Sequence, residues 1–386
     1  MRFEFATATR IIFGAAALNE VAPLAAGMGS CAFVVTGRST ERAGPLLEQL
    51  NERRIRCFTF NVSGEPTATI AKAAVSQARQ AECDLVVTVG GGSVIDTGKV
   101  VAAMLTNSGQ LEDYLEVVGQ ARVLACRAVP HIAIPTTAGT GAEVTRNAVL
   151  GLPEHRVKVS MRSPLMLPTI AVVDPLLTHS MPPSITAGTG LDAITQLIEA
   201  YVCNKANPLT DGICREGLKR AGRSLRVAYE NGSNPAARED MALASLFGGL
   251  ALANAKLGAV HGLAGPLGGM ISAGHGVICA RLLPYVMKAN IRALQSRADD
   301  LAALARYDQI ARLLTGTATA QAADGAVWVQ QLCEALEIPS LARLGLQEQD
   351  FPAVVAKSRK SSSMKGNPIV LTDDELMGIL KESHSS

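Results

Sequence analysis

The chain has 386 residues, of which 48 % are hydrophobic and 18 % charged, enough for two domains with large buried cores. This composition argues against intrinsic disorder, and a formal net charge of only +2 argues against nucleic acid or an acidic membrane as a partner. An aromatic content of 4 % also argues against a base-stacking surface.

Short apolar runs alternate with helical patterns in the first half of the chain. Apolar strands with little polar alternation, separated by amphipathic helices, are typical of a parallel sheet covered on both faces. The predicted strands are 31–36, 56–60, 84–89, 131–134 and 170–173, with 157–159 as a further one. The predicted helices are 40–52, 67–80 and a segment that follows three glycines and runs through Met104.

The pattern changes after Asp174-Pro175, beyond which helical periodicity dominates. We expect Pro284 to kink or interrupt one of these helices. The predicted helices are 186–203, 206–230, 235–257, 277–296, 301–314 and 320–334. We therefore predict an α/β domain over 1–180 and a helical domain over 181–386.

A triple glycine follows the third predicted strand, in Val89-Gly-Gly-Gly-Ser-Val-Ile-Asp-Thr-Gly-Lys99. Glycine lets the backbone approach a ligand closely, and free N–H groups at a helix start attract a pyrophosphate. The spacing is not the GxGxxG fingerprint, and a tight turn made of glycines is the alternative. Glycines followed by Ser93 at a helix start nevertheless favour anion binding.

Two further sets of residues carry candidate chemistry. Thr136, Thr137 and Thr140 lie in a loop after the fourth strand and could bind a nucleotide, although ordinary turns use the same residues. Asp192 and Gln196 are spaced i, i+4, so their side chains project together. His261 and His275 are remote from them, and a lone histidine is more often a satisfied core residue than a ligand. Two histidines and an aspartate make a better case for a metal site.

Together these segments resemble the iron-containing (group III) alcohol dehydrogenase family over nearly the whole chain. The matching motifs are Gly90-Gly-Gly-Ser93 with Asp96 and Lys99, Pro135-Thr-Thr-Ala-Gly-Thr-Gly-Ala-Glu143, Asp174-Pro175, Gly190-Leu-Asp192, His261-Gly, His275-Gly and Asn367-Pro368. The resemblance implies a Rossmann-like N-terminal domain with a parallel sheet and an all-α, dehydroquinate synthase-like C-terminal domain. It also implies an active site in the cleft between them, NAD or NADP, one Fe²⁺ or Zn²⁺, and a homodimer.

The resemblance has two departures at the implied active site. The family's metal ligands are one Asp and three His; Asp192, His261 and His275 carry over, but Gln196 stands in place of the third His. Many members have a further His, implicated in proton transfer, where this chain has Gly265. An amide oxygen is a weaker ligand than imidazole, yet two His and one carboxylate suffice for a catalytic centre. We therefore predict a metal on Asp192, Gln196, His261 and His275, bound with reduced affinity.

The cofactor residues implied by the resemblance lie in the first half of the chain. The pyrophosphate would rest on Gly91, Gly92 and Ser93, in the same stretch as Asp96. Thr136, Thr137, Thr140 and Lys158 would bind other parts of the dinucleotide. Gly37 stands where NAD-preferring relatives often have an Asp that binds the ribose 2′-OH. No carboxylate would repel a 2′-phosphate there, and Arg38 or Ser39 could contact one, so the choice between NAD and NADP stays open.

The implied function is an NAD(P)-dependent alcohol dehydrogenase, or aldehyde or ketone reductase, acting on a small-molecule alcohol or aldehyde. Asp192, His261 and His275 would form its catalytic centre, where a divalent metal polarises the alcohol oxygen. One alternative is a metal-free reductase, as in the maleylacetate reductase branch, with hydrogen-bond donors alone polarising the carbonyl. The others are a non-catalytic dinucleotide-binding protein and a different chemistry on the dehydroquinate synthase-like scaffold.

The location of the protein is also predicted from sequence. Its eight cysteines are scattered without a CxxC pair, which indicates a reducing compartment. The N-terminal Met-Arg-Phe-Glu-Phe lacks a signal-peptide pattern, and no apolar run reaches the roughly 18 residues of a membrane span. We expect a cytoplasmic enzyme.

Overall fold

The computed structural model describes residues 2–38, 40–155, 157–297 and 301–385. These residues form two compact units. The N-terminal unit comprises Phe5–Thr137 and Gly141–Thr178. The C-terminal unit comprises His179–Ser386 together with Ala138–Thr140 and a short segment from the start of the chain. The division into independent domains over 1–180 and 181–386 stays a prediction.

The N-terminal unit is an α/β structure built on parallel strands, as predicted. Its strands are β1 (Arg10–Phe13), β2 (Cys31–Thr36), β3 (Arg56–Asn61), β4 (Leu85–Gly90), β5 (His131–Pro135), β6 (Asn147–Leu152), β7 (Val157–Arg162) and β8 (Ile170–Val173). Six of them form one parallel sheet in the order β1-β8-β5-β4-β2-β3. Every residue of β2, β4, β5 and β8 is buried, because both faces of the sheet are covered.

Strands β1 and β6 were not predicted. Strand β6 pairs antiparallel with β7 in a separate two-stranded sheet. Buried and half-buried residues alternate along β6. Strand β1 has only four residues and pairs with β8 alone. Strand β1 begins with Arg10, and β6 begins with Asn147 and contains Gly151, so neither has the uninterrupted run of apolar residues seen in β2 and β8.

The helices of the N-terminal unit are α1 (Val21–Ala25), α2 (Gly44–Glu52), α3 (Ala68–Gln80), α4 (Gly92–Thr106) and α5 (Leu111–Tyr114). Three of these five, α2, α3 and α4, begin close to where the sequence predicts, whereas the short helices α1 and α5 were not predicted. Helix α3 begins after Thr67, whose hydroxyl accepts a hydrogen bond from the N–H of Ile70 at 3.2 Å. The predicted helix 40–52 is divided into a 3₁₀ turn and α2, which has Pro45 in its first turn, where a missing N–H costs nothing.

The C-terminal unit is helical, as predicted. Its helices are α6 (Pro183–Val202), α7 (Pro208–Glu230), α8 (Pro235–Asn254), α9 (Ala259–Met270), α10 (His275–Arg297), α11 (Ala302–Thr315), α12 (Ala322–Ala335), α13 (Phe351–Ser358) and α14 (Asp373–Ser385). No single helix in the described part of the chain has both the length and the apolar composition of a membrane span. Helices α8 and α9 reach those limits only as a pair, and the pair is bent by 97°.

Close packing around α6 depends on glycine. A Cβ atom on Gly190 would lie 2.2 Å from Cδ1 of Leu225, and one on Gly217 would lie 2.8 Å from Cδ1 of Leu197. In each pair the glycine lies on one of the helices α6 and α7 and the leucine on the other. The two helices therefore pack closely because the glycines have no side chain at these contacts. Helix α6 is therefore packed with most of its length buried.

Helix α9 is absent from the predicted helices. Its sequence is rich in glycine, which has low helix propensity, and burial of its residues in the core overrides that preference. A Cβ on Gly262 would lie 2.9 Å from Cε of Met364, so the glycine at position 262 is what allows α9 to pack against this methionine. The expected interruption at Pro284 is wrong, because helix α10 continues past it with buried residues on both sides, and a kink there stays a prediction.

Candidate active site

Four side chains with metal-binding atoms meet inside the C-terminal unit. They are Asp192 on α6, His261 on α9, and His275 and Cys279 on α10, and one ligand atom from each lies within 4.8 Å of the others. The Asp192 Oδ1 and His261 Nε2 atoms are 3.5 Å apart, and so are the Cys279 Sγ and His275 Nε2 atoms. The structure thus brings together Asp192, His261 and His275, which the sequence proposed, and adds Cys279, which it did not.

Glycines bring the start of α10 against α6. A Cβ on Gly276 would lie 2.5 Å from the carbonyl oxygen of Gly188 and 3.3 Å from Cβ of Asp192. A Cβ on Gly188 would in turn lie 2.9 Å from Cγ2 of Val277. The two backbones therefore touch where the sequence has Gly-Leu-Asp and His-Gly motifs, and this contact places His275 beside Asp192.

Gln196 contacts the cluster through its amide nitrogen. Its Nε2 donates to Oδ2 of Asp192 at 3.3 Å and to the carbonyl of Thr140 at 3.4 Å. Its Oε1 lies beside Gly248, where an added Cβ would come within 2.8 Å of it. With the amide in this orientation, Gln196 positions Asp192, and its role as a metal ligand stays a prediction.

Glu199 fixes the ring of His261, and the sequence analysis missed it. Oε2 of Glu199 accepts a hydrogen bond from Nδ1 of His261 at 2.6 Å, and its Oε1 accepts one from the N–H of Val260 at 2.7 Å. A carboxylate on one ring nitrogen is the usual support of a histidine whose other nitrogen binds a metal. The signal was available, since Asp192, Gln196 and Glu199 are spaced i, i+4, i+7 on one helix face.

The cluster is electrostatically coupled. Burial favours neutral Asp192, but the neighbouring imidazoles of His261 and His275 lower the pKa of Asp192 below its ordinary value. Burial likewise favours neutral His261, but Cys279 and Asp192 hold the pKa of His261 well above its ordinary value. Acidic and basic groups thus share protons in a buried space, and a divalent cation would replace those protons.

The glycine-rich turn lies where the sequence placed it, at the end of β4 and the start of α4, with Gly91 as the N-cap. A Cβ on Gly90 would lie 2.5 Å from Cγ2 of Val94, and one on Gly91 would lie 3.2 Å from Oγ1 of Thr137. The glycines are therefore required for close approach, not for an unusual backbone angle. Gly92 and Ser93 form the first turn of α4, where N–H groups are free to meet an anion.

Thr136 and Thr137 follow β5, the neighbour of β4 in the sheet. The N–H of Thr136 donates to the carbonyl of Gly90 at 3.0 Å, which links the two loops. Both loops thus lie at the carboxyl ends of adjacent parallel strands, the edge where open α/β sheets bind ligands. Thr140 belongs to the C-terminal unit, where its carbonyl accepts from Gln196.

Two other predicted cofactor residues have partners within the protein. The oxygens of Asp96 accept from Nζ of Lys99 at 3.3 Å and from the N–H of Val149 at 2.9 Å. The Nζ of Lys158, on β7, lies 3.2 Å from Oε2 of Glu65. These contacts give both residues structural roles, and their contact with a cofactor stays a prediction.

Gly37 follows β2 at the same carboxyl edge of the sheet. Its carbonyl accepts a hydrogen bond from Nδ2 of Asn61, and the neighbouring Arg38 donates from Nε to Oγ of Ser63 at 2.8 Å. Ser39 lies outside the described residues. A side chain at position 37 would meet little, since the only described atom within 4 Å of an added Cβ is Cγ2 of Val94, at 3.9 Å.

Comparison with known families covers nearly all of the chain. The model of iron-containing alcohol dehydrogenases matches residues 8–175, and that of the C-terminal part of the Fe-containing alcohol dehydrogenase family matches residues 186–384. The chain belongs to the iron-containing alcohol dehydrogenase family. Membership supports alcohol dehydrogenase activity, and the family resemblance drawn from the motifs is confirmed.

Individual members of the family align over most of their length. The 1,3-propanediol dehydrogenase of Klebsiella pneumoniae is 37 % identical over 340 residues, which cover 87 % of this chain and 86 % of that protein. A crystal structure of 1,3-propanediol oxidoreductase superposes with a TM-score of 0.89 at 34 % identity, covering 99 % of this chain and 100 % of the other. Sulfoacetaldehyde reductase from Bifidobacterium kashiwanohense, solved in complex with NAD⁺, gives 0.88 at 28 % identity with full coverage of both.

The donor atoms of this iron-containing alcohol dehydrogenase family member fit a divalent metal. Within the described residues, Oδ1 of Asp192 and Oε1 of Gln196 are buried and have no hydrogen-bond partner. Buried acceptors normally have one, because an unpaired polar atom costs free energy. A cation beside Asp192, His261 and His275 would satisfy Oδ1 of Asp192, while Glu199 already supports His261 from behind.

Proposed function

We propose that this alcohol dehydrogenase uses NAD(P) to interconvert a small-molecule alcohol and its aldehyde or ketone. The convergence of Asp192, His261 and His275 within 4.8 Å, in a chain of this family, carries the proposal. We assign these three residues as catalytic and as metal-binding, and the family resemblance points to Gln196 for the fourth position of the metal-binding set.

The chain's own residues prepare the site for hydride transfer. A divalent metal on this set supplies a Lewis acid for the alcohol oxygen. Glu199 fixes the orientation of His261, and burial of Asp192 and His261 excludes water from the donor atoms. The turn at Gly91, Gly92 and Ser93 holds the pyrophosphate of the dinucleotide, and Thr136, Thr137 and Thr140 hold its remaining groups, with Asp96, Lys158 and Gly37 as further cofactor positions.

Proton release must differ from that of relatives with a second histidine on this helix. Gly265 carries no side chain, and a Cβ there would meet no described atom within 4 Å. We propose that water or a ribose hydroxyl of the cofactor takes the proton in this open space. A small polar substrate is consistent with that space, and relatives include enzymes named for 1,3-propanediol and sulfoacetaldehyde. We also propose a cytoplasmic location and a homodimer.

One structural observation supports a second candidate, the metal-free reductase. Gln196 directs an N–H group toward Asp192, where the metal-binding family has an imidazole. In this orientation Gln196 offers no oxygen to a metal, and polarisation of the carbonyl would then fall to hydrogen-bond donors elsewhere in the site. The non-catalytic alternative is less well supported, because Asp192, His261 and His275 retain a connected arrangement.

The proposal is tested by following nicotinamide absorbance with NAD⁺ and NADP⁺ plus simple alcohols, and with the reduced cofactors plus aldehydes and keto acids. Each assay is run before and after chelation and again after metal is restored. We expect turnover that chelation abolishes and metal restores, and that Asp192→Asn abolishes throughout. Turnover that is insensitive to chelation identifies the metal-free reductase, and a lack of turnover with every substrate contradicts the enzyme assignment.

A further inference from the structure

Cys279 is the member of the buried cluster whose role the proposed function leaves unexplained. It lies one helical turn after His275 on α10, is fully buried, and directs its Sγ to within 3.5 Å of Nε2 of His275. Its Sγ also lies within 4.8 Å of donor atoms on Asp192 and His261. A structural cysteine would face apolar neighbours, whereas this one faces one carboxylate and two imidazoles.

Two of the distances between donor atoms are those expected for ligands of a single ion, and all four donor atoms lie within 4.8 Å of one another. Ligand atoms on a tetrahedral zinc ion, with bonds of about 2.0 Å to nitrogen and 2.3 Å to sulfur, lie roughly 3.3–3.6 Å apart. The Asp192 Oδ1 to His261 Nε2 distance and the Cys279 Sγ to His275 Nε2 distance are both 3.5 Å. Oδ1 of Asp192 is buried without a hydrogen-bond partner, and a cation bound between these donor atoms would satisfy it.

Gln196 is less suited to the same position. Its Nε2 faces Asp192, and its Oε1 faces Gly248. Rotating the amide to bring the oxygen inward would set it against Oδ2 of Asp192 and the carbonyl of Thr140, which are acceptors like itself. Cys279 needs no such rearrangement, because its Sγ already lies among the donor atoms.

We propose that Cys279 is a metal ligand, so that the ion is bound by Asp192, His261, His275 and the thiolate of Cys279. The thiol gives up its proton to solvent when the ion binds. A thiolate is a soft ligand that favours Zn²⁺ over Fe²⁺ more strongly than an oxygen ligand does. This inference rests on the proposed function for the existence of the site.

The test loads the purified full-length chain with Co²⁺ and records its absorption spectrum, with stoichiometry measured by elemental analysis. Cobalt bound to a thiolate shows a near-ultraviolet charge-transfer band that oxygen and nitrogen ligands do not give. We expect this band in the wild-type protein and in the control Cys214→Ser, which alters another fully buried cysteine outside the cluster. We expect its loss in Cys279→Ser, whose near-isosteric side chain keeps the fold.

Metal affinity supplies a second readout, measured by competition with a chromophoric chelator. Replacing Cys279 by Ser should weaken Zn²⁺ binding by roughly 10–100-fold or more, the effect of losing even a supporting residue, and should weaken Fe²⁺ binding less. Gln196→Ala should change Zn²⁺ affinity less than Cys279→Ser. These comparisons do not depend on finding the substrate.

The outcomes separate this inference from the proposed function. Stoichiometric Co²⁺ without the charge-transfer band, or Zn²⁺ affinity that falls in Gln196→Ala but not in Cys279→Ser, overturns the role of Cys279 and leaves the dehydrogenase proposal intact. A wild-type protein that binds no metal overturns both the ligand role and the metal-dependent mechanism. The band in wild type, its loss in Cys279→Ser and its retention in Cys214→Ser support the assignment.

Discussion

The carboxylate of Glu199 and the imidazole of His261 are hydrogen-bonded at 2.6 Å, although 62 residues separate them. The carboxylate accepts from Nδ1, so the other ring nitrogen, Nε2, faces Oδ1 of Asp192. Glu199 is itself held by the N–H of Val260. Glu199 therefore sets the orientation of the His261 ring from the side opposite Asp192.

Glu199→Gln should weaken metal binding by roughly 10–100-fold, because a neutral amide orients and polarises the imidazole less than a carboxylate does. Chelator competition measures the affinity directly. Glu230→Gln, which alters an exposed glutamate on α7, is the matched control. Equal affinities in the two variants would contradict a positioning role for Glu199.

Gly91→Ala should weaken dinucleotide binding by roughly 10-fold, about 1.4 kcal/mol. The added methyl group would lie 3.2 Å from Oγ1 and Cγ2 of Thr137, so either this side chain or the turn that starts α4 must shift by a few tenths of an ångström. Titration with the reduced cofactor, followed by fluorescence, gives the dissociation constant. In Gly44→Ala the methyl group meets no described atom within 4 Å, so binding should stay unchanged. An unaltered constant in Gly91→Ala would remove this turn from the cofactor site.

Gly37→Asp should shift cofactor preference from NADP toward NAD. A carboxylate at this position would repel a 2′-phosphate and could bind the ribose 2′-OH instead. We expect the ratio of kcat/KM for NADP⁺ over NAD⁺ to fall by roughly 10-fold or more, about 1.4 kcal/mol. The neutral Gly37→Ala variant separates charge from bulk. If both variants keep the wild-type ratio, position 37 does not contact the ribose.

Glu143 makes the stability of the N-terminal unit depend on pH. Burial raises the pKa of this carboxyl from 4.5 to about 7, partly opposed by a backbone hydrogen bond and by Lys99. The folded protein therefore retains a proton that the unfolded chain has lost between pH 4.5 and 7, so stability falls as pH rises through that range.

Glu143→Gln, which cannot ionise, should remove that loss and become more stable than wild type above about pH 7, by up to about 3 kcal/mol. Thermal unfolding midpoints of the cofactor-free proteins, compared from about pH 5 to pH 8, check the prediction. The exposed Glu239→Gln should show the wild-type pH dependence. A difference between Glu143→Gln and wild type that does not grow with pH would contradict it.

The sequence predicted strands and helices correctly where a local pattern of apolar residues indicates which residues are buried. The apolar run of β4 and the glycines after it identified a buried strand and its turn. The i, i+4 spacing of Asp192 and Gln196 placed both on one face of α6, and their side chains do interact. It failed where long-range packing overrides local preference, as in glycine-rich α9 and at Pro284, since burial stabilises helix that propensity disfavours.

By itself, the order of residues determined the α/β and helical halves of this protein, its membership of a dehydrogenase family, and three donors of its metal-binding cluster. Only the tertiary structure decided that Cys279 faces those donors and that Glu199 supports His261. Chain spacing specifies which side chains share a helix face, but not which faces meet. That choice depends on backbone contacts such as the one between Gly188 and Gly276, where missing side chains allow α6 and α10 to touch.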